Sequence, residues 1–355
     1  MRSSTTRRAL ALTGAAALIT LPAAPTGAAD AGRYVALGDS YSSGLGTRSY
    51  LADGTECRRS TLAYPSLVAA ARGYSLDLRA CSGATVPDIQ NAQLGALSGS
   101  TDYVTLSVGG NDAGFADVLT ECALPSWASR CNRAIDGAQS FISTSLPGRL
   151  TTLYSQVRAA APNATVVIVG YPRIFMGKDC NAFTWFSPSE QTRLNQTADQ
   201  LNALLASRAS AAGFTFVNPT QRFTGHAVCD RPEWINGLSY PIDESYHPNR
   251  SGHATGYTPL VSLPLSGSSV SVTSAVRSSA KKAGPDQAKL QRKRATLDRR
   301  IQPKEFRLPD LDSARVQSRA KALGIDTDDR AEVDQMDRVH SAKQAKQAKQ
   351  AKQPK

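Results

Sequence analysis

Short apolar stretches alternate with longer amphipathic segments between residue 31 and about residue 260. The short stretches are apolar throughout and rich in β-branched residues, which is typical of strands buried on both faces of a parallel sheet. They lie at 33–37, 76–78, 103–108, 165–169 and 214–217. Because a strand followed by a helix recurs along the chain, the pattern predicts a three-layer α/β/α fold with a central parallel sheet of about five strands.

Two of the longer segments show clear helical spacing. Residues 148–161 place leucines, a tyrosine and a valine on one face, and Pro162 ends the pattern. Residues 188–212 repeat leucine and alanine on one face, and Ser187 can cap the first turn. Both segments are long enough to cover one face of the predicted sheet.

The N-terminal end departs from this pattern. Residues 1–29 combine an arginine-bearing front, an uncharged apolar middle and small residues before Asp30, which is typical of a secretory signal peptide. The apolar middle is broken by prolines and is shorter than the roughly 20 residues that cross a bilayer. We therefore expect export and cleavage rather than a membrane anchor, by either the general or the twin-arginine route. We expect no transmembrane segment after this point.

The C-terminal end, residues 261–355, differs in composition. It contains 21 Lys and Arg against 11 Asp and Glu, and so holds most of the net charge of +12 at pH 7. Aromatic residues are few, and the segment closes with Ala-Lys-Gln repeats. Such a composition buries too little apolar surface to offset the entropy of ordering. We expect a disordered tail beyond a folded domain at 30–260. The tail would be dispensable for activity, and it would either contact anionic surfaces weakly or have no partner.

The six cysteines all follow the predicted signal peptide. In an exported protein an even number of cysteines predicts disulfides. Six cysteines allow 15 pairings, and nearest-neighbour pairing is the simplest of them: Cys57–Cys81, Cys122–Cys131 and Cys180–Cys229. A zinc site is the alternative, but the sequence has no Cys-x-x-Cys pair and its four histidines are not clustered.

Four polar blocks carry candidate chemistry, and three of them directly follow predicted strands. Ser40, in Gly-Asp-Ser, would sit at the carboxyl edge of the sheet, where open parallel sheets form their sites. The blocks at Gly83 and Asn111 offer a backbone N–H and a side-chain amide for an oxyanion. In the fourth block His247 can act as base, and Glu244 is three residues before it, within reach of the ring. Each block alone is equally well explained by a turn or a surface loop.

Together, and in this order, the four blocks resemble the SGNH (GDSL) hydrolase superfamily, whose fold is flavodoxin-like. The family's Ser, Gly, Asn and His fall on Ser40, Gly83, Asn111 and His247. The sequence context and the six cysteines look most like the secreted lipases and esterases of Streptomyces and its relatives. The resemblance covers residues 33 to about 256.

The resemblance implies an acyl-enzyme mechanism without a cofactor or a metal ion. Ser40 would attack the ester carbonyl, His247 would carry the proton, and Ser40, Gly83 and Asn111 would form the oxyanion hole. Glu244 departs from the family pattern, which has Asp at that position. Glutamate can serve as the third catalytic residue. In some relatives a backbone carbonyl orients the histidine, and here that carbonyl would belong to Ser245.

The substrate is less well defined by sequence than the reaction. We expect a fatty-acyl ester or a lipid. Acetylated polysaccharides and aryl or thio esters are alternatives, because this fold supports several deacylases. A different hypothesis is a non-catalytic surface-binding protein that acts through its basic tail, but the complete set of four blocks argues against it. We expect a monomer with no obligatory protein partner.

Overall fold

Five parallel strands form one sheet in the order β2-β1-β3-β4-β5. The structure is a computed structural model that describes Met1 and residues 32–351, so the predicted signal peptide lies outside the described residues except for Met1. The strands are β1 Arg33–Gly38, β2 Ser75–Leu78, β3 Tyr103–Ser107, β4 Thr165–Val169 and β5 Thr215–Val217. Each lies within one residue of the predicted stretch. With its flanking helices, the sheet confirms the predicted α/β/α fold.

The α-helices of the domain follow the strands in the expected alternation. α7 begins with the predicted serine cap, because the Ser187 side chain accepts from the Glu190 N–H and the Glu190 carboxylate reaches back to Ser187. The helices are α1 Ser40–Ser43, α2 Tyr64–Arg72, α3 Val86–Asp88, α4 Phe115–Cys122, α5 Cys131–Thr144, α6 Leu146–Ala160, α7 Pro188–Ala211 and α8 Thr258–Ser266. Shorter π- and 3₁₀-helical turns lie at Ile89–Gln93, Leu94–Ala96, Ile242–Glu244 and Gly252–Tyr257.

The register of β1 and β3 brings two of the polar blocks together. Gly38 lies opposite Ser107, so the turns that follow the two strands are neighbours at the carboxyl edge of the sheet. Gly38 has φ +130°, and a Cβ at this position would lie 2.7 Å from the Ser107 carbonyl oxygen. Only glycine fits such a close approach.

Three disulfides join the six cysteines as Cys57–Cys81, Cys122–Cys131 and Cys180–Cys229. These are the nearest-neighbour pairs. The first ties the loop after α1 to the segment after β2, and the second links the end of α4 to the start of α5. Both disulfides therefore fix connections between elements of the domain.

The C-terminal extension, residues 267–351, differs from the expected disordered tail. It contains the helices α9 Ser274–Arg292, α10 Ala295–Asp298, α11 Ala314–Leu323 and α12 Arg330–Ala351. Ile301 and Phe306 are buried in the main core, and Val316 and Val333 are buried in a second cluster. Helix α8 also continues the domain core past the expected boundary at residue 260, since Val261 and Leu265 are buried.

A buried ion cluster attaches the extension to the domain. The carboxylate of Asp298 pairs with Arg59 at 2.8 Å and with Arg79 at 2.6 Å, and all three side chains are inaccessible to solvent. The Gln291 amide oxygen accepts from Arg79 as well, at 2.6 Å. Composition did not predict this attachment, because the arginines lie more than 200 residues before Asp298 in the chain.

Within the described residues, no helix is both long enough and apolar enough to cross a membrane.

Candidate active site

Ser40 is the first residue of α1, directly after the turn that closes β1. The preceding Asp39 caps the helix by accepting from the Tyr41 N–H at 3.0 Å, and it also accepts from the hydroxyls of Ser107, at 2.7 Å, and Tyr171. Burial raises the pKa of Asp39 to about 6, even though these hydrogen bonds act in the opposite direction. These three hydrogen bonds hold Asp39 in place, and with it the start of the helix that carries Ser40.

His247 lies within hydrogen-bond distance of Ser40. The distance between His247 Nε2 and Ser40 Oγ is 2.9 Å. The other ring nitrogen, Nδ1, lies 2.9 Å from the Ser245 carbonyl oxygen. Because a carbonyl only accepts, Nδ1 carries the proton and Nε2 is free to accept from Ser40. Burial lowers the pKa of His247 to about 4, which keeps the imidazole neutral near neutral pH.

The backbone between Ser245 and His247 is unusual. Tyr246 has φ +63°, in the left-handed region that a bulky side chain rarely adopts. This turn brings the Ser245 carbonyl onto the ring of a residue only two positions further on. The Tyr41 hydroxyl donates to the Tyr246 carbonyl at 2.8 Å, and the Tyr246 ring is fully buried, so surrounding contacts hold the strained residue.

The Glu244 carboxylate binds groups other than the imidazole. It accepts from the Tyr50 hydroxyl and, at 3.2 Å, from Arg48 Nε. Asp243 pairs with Arg58 at 3.1 Å. Among the hydrogen bonds of residues 32–351, neither carboxylate reaches His247. The expected contact between Glu244 and the histidine is therefore wrong, because a tyrosine and an arginine from the loop after α1 bind this carboxylate.

Asn111 and Gly83 lie at the same edge of the sheet. Asn111 lines one pocket together with Ser40, and its side-chain Nδ2 donates to the Ala84 carbonyl at 3.0 Å. Gly83 adopts φ +82° and lines a neighbouring cavity that Asn111 also borders. The fold thus brings together all four of the residues that the resemblance selected. It adds Asp39, Tyr171 and Ser107, which the sequence reading left without a role although Asp39 stands inside the Gly-Asp-Ser block.

An apolar pocket opens beside Ser40 and Asn111. Helices α4, α5 and α7 and the segment after β4 form its wall. The apolar side chains that line it include Phe115, Val118, Leu119, Ile142, Ile174, Leu194 and Leu201. Such a pocket can bury a hydrocarbon chain whose ester carbonyl lies at Ser40.

One group of side chains in the described part of the chain has metal-ligand spacing: Cys180, Cys229 and Glu233. Its two sulfurs are joined in a disulfide, so neither can bind a metal as a thiolate.

A parallel α/β/α sheet with a serine and a histidine paired at its carboxyl edge is typical of serine ester hydrolases, and the order of the blocks at Ser40, Gly83, Asn111 and His247 is that of the SGNH class. The chain belongs to the GDSL-like Lipase/Acylhydrolase family, whose model matches residues 36–255. It is a carboxylic ester hydrolase of the lipase/esterase type. The family match ends before α8, so the C-terminal extension lies outside it.

Similar proteins agree with this assignment. Lipase 1 of Streptomyces coelicolor is 46% identical over 71% of this chain and 91% of its own length. The crystal structure of a phospholipase A1 from Streptomyces albidoflavus is 46% identical, covers 65% of this chain and 98% of its own, and has a TM-score of 0.62. The extracellular lipase of Streptomyces rimosus is 39% identical with the same coverage, and its structure has a TM-score of 0.61.

Proposed function

We propose that the protein is a secreted hydrolase of fatty-acyl esters that forms an acyl-enzyme on Ser40. The observation that carries this proposal is the 2.9 Å distance between Ser40 Oγ and His247 Nε2, at the mouth of an apolar pocket. A serine hydroxyl becomes an effective nucleophile when a neutral base accepts its proton. His247 meets that requirement because its pKa is lowered to about 4.

The reaction has two halves. Ser40 Oγ attacks the ester carbonyl carbon while its proton passes to His247 Nε2. The tetrahedral intermediate then collapses, and the alcohol leaves with that proton. A water molecule next attacks the acyl-enzyme, His247 accepts one of its protons, and the fatty acid is released as the proton returns to Ser40 Oγ. The Ser40 and Gly83 N–H groups and the Asn111 amide would stabilise the oxyanion in both halves.

The Ser245 carbonyl would take the place of the third catalytic residue. It fixes the Nδ1–H tautomer and the ring orientation, which are two of the tasks that a carboxylate performs in a triad. A carbonyl dipole stabilises the imidazolium less than a full charge would. Glu244 would serve instead as a structural carboxylate that joins the loop after α1 to the histidine loop.

A serine-directed fluorophosphonate tests the nucleophile. We expect labelling of the wild-type protein and of Ser43→Ala, a matched control one helical turn away, but not of Ser40→Ala. Labelling that persists in Ser40→Ala would overturn the assignment.

A panel of p-nitrophenyl esters tests the acyl part of the substrate. The apolar pocket, of about 80 Å³, predicts that kcat/KM rises from acetyl to medium chains, whereas a polysaccharide deacetylase would prefer acetyl.

Secretion is proposed from residues 1–29, which lie outside the described residues except for Met1, and from the three disulfides, which an oxidising compartment favours. N-terminal sequencing of the protein from culture supernatant should give a start at or near Asp30. A protein found only in the cell pellet with residues 1–29 attached would contradict export.

We further propose a monomer without an obligatory partner, whose positively charged extension contacts anionic surfaces weakly. Light scattering should give the mass of one chain. Co-sedimentation with vesicles of anionic lipid should be weak and should disappear as salt screens the charges. A stable dimer, or binding that salt does not weaken, would contradict these proposals.

A further inference from the structure

Residues 301–307 of the extension, which we call the strap, cross the carboxyl edge of the sheet beside the catalytic residues. Pro303 packs on Gly83 so closely that a Cβ on this glycine would lie 2.4 Å from the Pro303 Cα. Phe306 is buried and packs edge-on against the ring of Tyr246, with 4.9 Å between the ring centroids. The strap therefore contacts the oxyanion glycine and the neighbour of His247.

Further contacts hold the strap to α4, which also lines the acyl pocket. Lys304 Nζ pairs with Asp117 at 2.8 Å. The Arg307 N–H donates to the Thr120 hydroxyl at 3.0 Å. Directly before the strap, Asp298 is locked in the buried ion cluster with Arg59 and Arg79. The strap is thus attached to α4 and, through Asp298, to the core of the domain.

A second cavity, of about 210 Å³, lies between the strap and the domain. That is far above the roughly 10–15 Å³ that holds one water molecule, so a small polar molecule fits. The domain contributes Gly83, Asn111 and Phe115, and the strap contributes Gln302 and Lys304. Because Asn111 and Phe115 also border the acyl pocket, the two cavities are neighbours.

The two cavities differ in chemistry. The acyl pocket is lined mainly by hydrocarbon, whereas Asp88, Asp112, Arg149 and Lys304 line the second cavity. The lining holds two positive and two negative side chains; Arg149 lies 3.5 Å from Asp112, and Lys304 also pairs with Asp117 outside the lining. Donors and acceptors are therefore mixed without a net positive charge. Hydroxyl groups both donate and accept, so they match this lining. A phosphate group would face two carboxylates.

We propose that this polar cavity binds the alcohol part of the ester, that it prefers an uncharged polyol such as glycerol, and that Gln302 and Lys304 of the strap select it. The inference rests on the proposed function, because it requires the ester carbonyl to lie at Ser40. With the acyl chain in the apolar pocket, the alcohol oxygen and its substituent project to the other side of the carbonyl, where this cavity lies. The extension, outside the matched family region, would thus supply half of the leaving-group site.

Competition among three esters of one fatty acid tests the proposal: the glycerol monoester, the methyl ester and the monoester of glycerol phosphate. The full-length protein should show its highest kcat/KM on the glycerol monoester. Gln302→Ala and Lys304→Met should each lower the ratio of kcat/KM for the glycerol ester to that for the methyl ester by roughly 3- to 10-fold, as expected for loss of one hydrogen bond. Both side chains are exposed, so the variants should fold.

Gln317→Ala and Lys321→Met are matched controls on α11, away from the cavity, and should leave the ratio unchanged. A preference for the phosphate-bearing ester would overturn the proposal, and so would an unchanged ratio in both strap variants. Fluorophosphonate labelling distinguishes failure of the leaving-group site from failure of the proposed function. If Ser40 labels and the ratio does not move, only the leaving-group site falls. If Ser40 does not label and no ester is hydrolysed, the proposed function falls as well.

Discussion

The His247 ring is held at Nδ1 by the Ser245 carbonyl, at 2.9 Å, and not by the carboxylate that its sequence spacing suggested. An acid three residues before a histidine has the reach to bind it, and that reasoning selected Glu244. The actual partners of Glu244, Tyr50 and Arg48, come from a loop almost 200 residues earlier. No local pattern indicates such a competition. The proximity of Ser40 and His247 could be predicted, because the order of the four blocks resembles that of the SGNH family.

Glu244→Gln should therefore cost far less than loss of a triad acid. Removal of that acid costs about 10⁴-fold in kcat. We expect a decrease of roughly 10–100-fold or less, since the carbonyl still fixes the tautomer and the ring. The measurement is kcat on a soluble ester, with Asp243→Asn as the parallel variant. A decrease near 10⁴-fold in a folded Glu244→Gln protein would make Glu244 the third catalytic residue.

Asn111→Ala should mainly affect kcat. Loss of one oxyanion donor typically costs on the order of 100- to 1,000-fold in kcat, because the hydrogen bond is strongest in the transition state. Steady-state kinetics on one ester give both constants. A variant with a raised KM and an unchanged kcat would assign Asn111 to substrate positioning instead.

The pH profile reports the state of His247. Only the neutral imidazole can act as base, and burial lowers the pKa of His247 to about 4. The acid limb of kcat/KM should therefore lie near pH 4, with a plateau through neutral pH, and not near the ordinary histidine value of roughly 6.5. Asp39, whose pKa is raised to about 6, is the control. A limb near pH 6 that disappears in Asp39→Asn would contradict the assignment to His247.

At the scale of the elements, the five strands and the two predicted helices, α6 and α7, lie within about two residues of the expected positions, because buried strands and amphipathic helices leave periodic patterns. The extension left no such pattern. Its helices bury about one apolar side chain per turn or fewer, and much of its attachment comes from Asp298 pairing with Arg59 and Arg79. From sequence, a charged residue in a charged, repetitive segment is expected to be exposed to solvent. Asp298 is buried because its partners, Arg59 and Arg79, come from the folded domain.

Asp298→Asn should destabilise the protein strongly. Breaking a buried ion pair on one side typically costs about 3–5 kcal/mol. Here Arg79 loses its buried counter-charge, whereas Arg59 keeps its pair with Asp53 at 2.8 Å. Denaturant unfolding followed by fluorescence measures the change. Asp136→Asn removes a partner of Arg193 from an exposed pair and should cost less than about 1 kcal/mol. Equal, small effects of the two variants would show that the extension contributes little to stability.

At the scale of the whole molecule, the family domain supplies the proposed nucleophile and base and the apolar pocket, and the extension supplies one wall of the neighbouring polar cavity. The sequence predicted that the chain beyond about residue 265 is dispensable for catalysis, and truncation after Leu265 tests that prediction. Removal of this segment would expose Arg59 and Arg79 and would open the cavity beside Gly83. The sequence could predict a hydrolase domain, but it could not show that the segment outside the family match contacts Gly83 and Tyr246.

The central claim is an acyl-enzyme on Ser40. Acid quenching during turnover of a p-nitrophenyl ester, followed by peptide mapping with mass spectrometry, tests it most directly. The account predicts one acyl group per chain, on the peptide that contains Ser40, and no adduct in Ser40→Ala. An adduct on any other residue, or one that persists in Ser40→Ala, would contradict it.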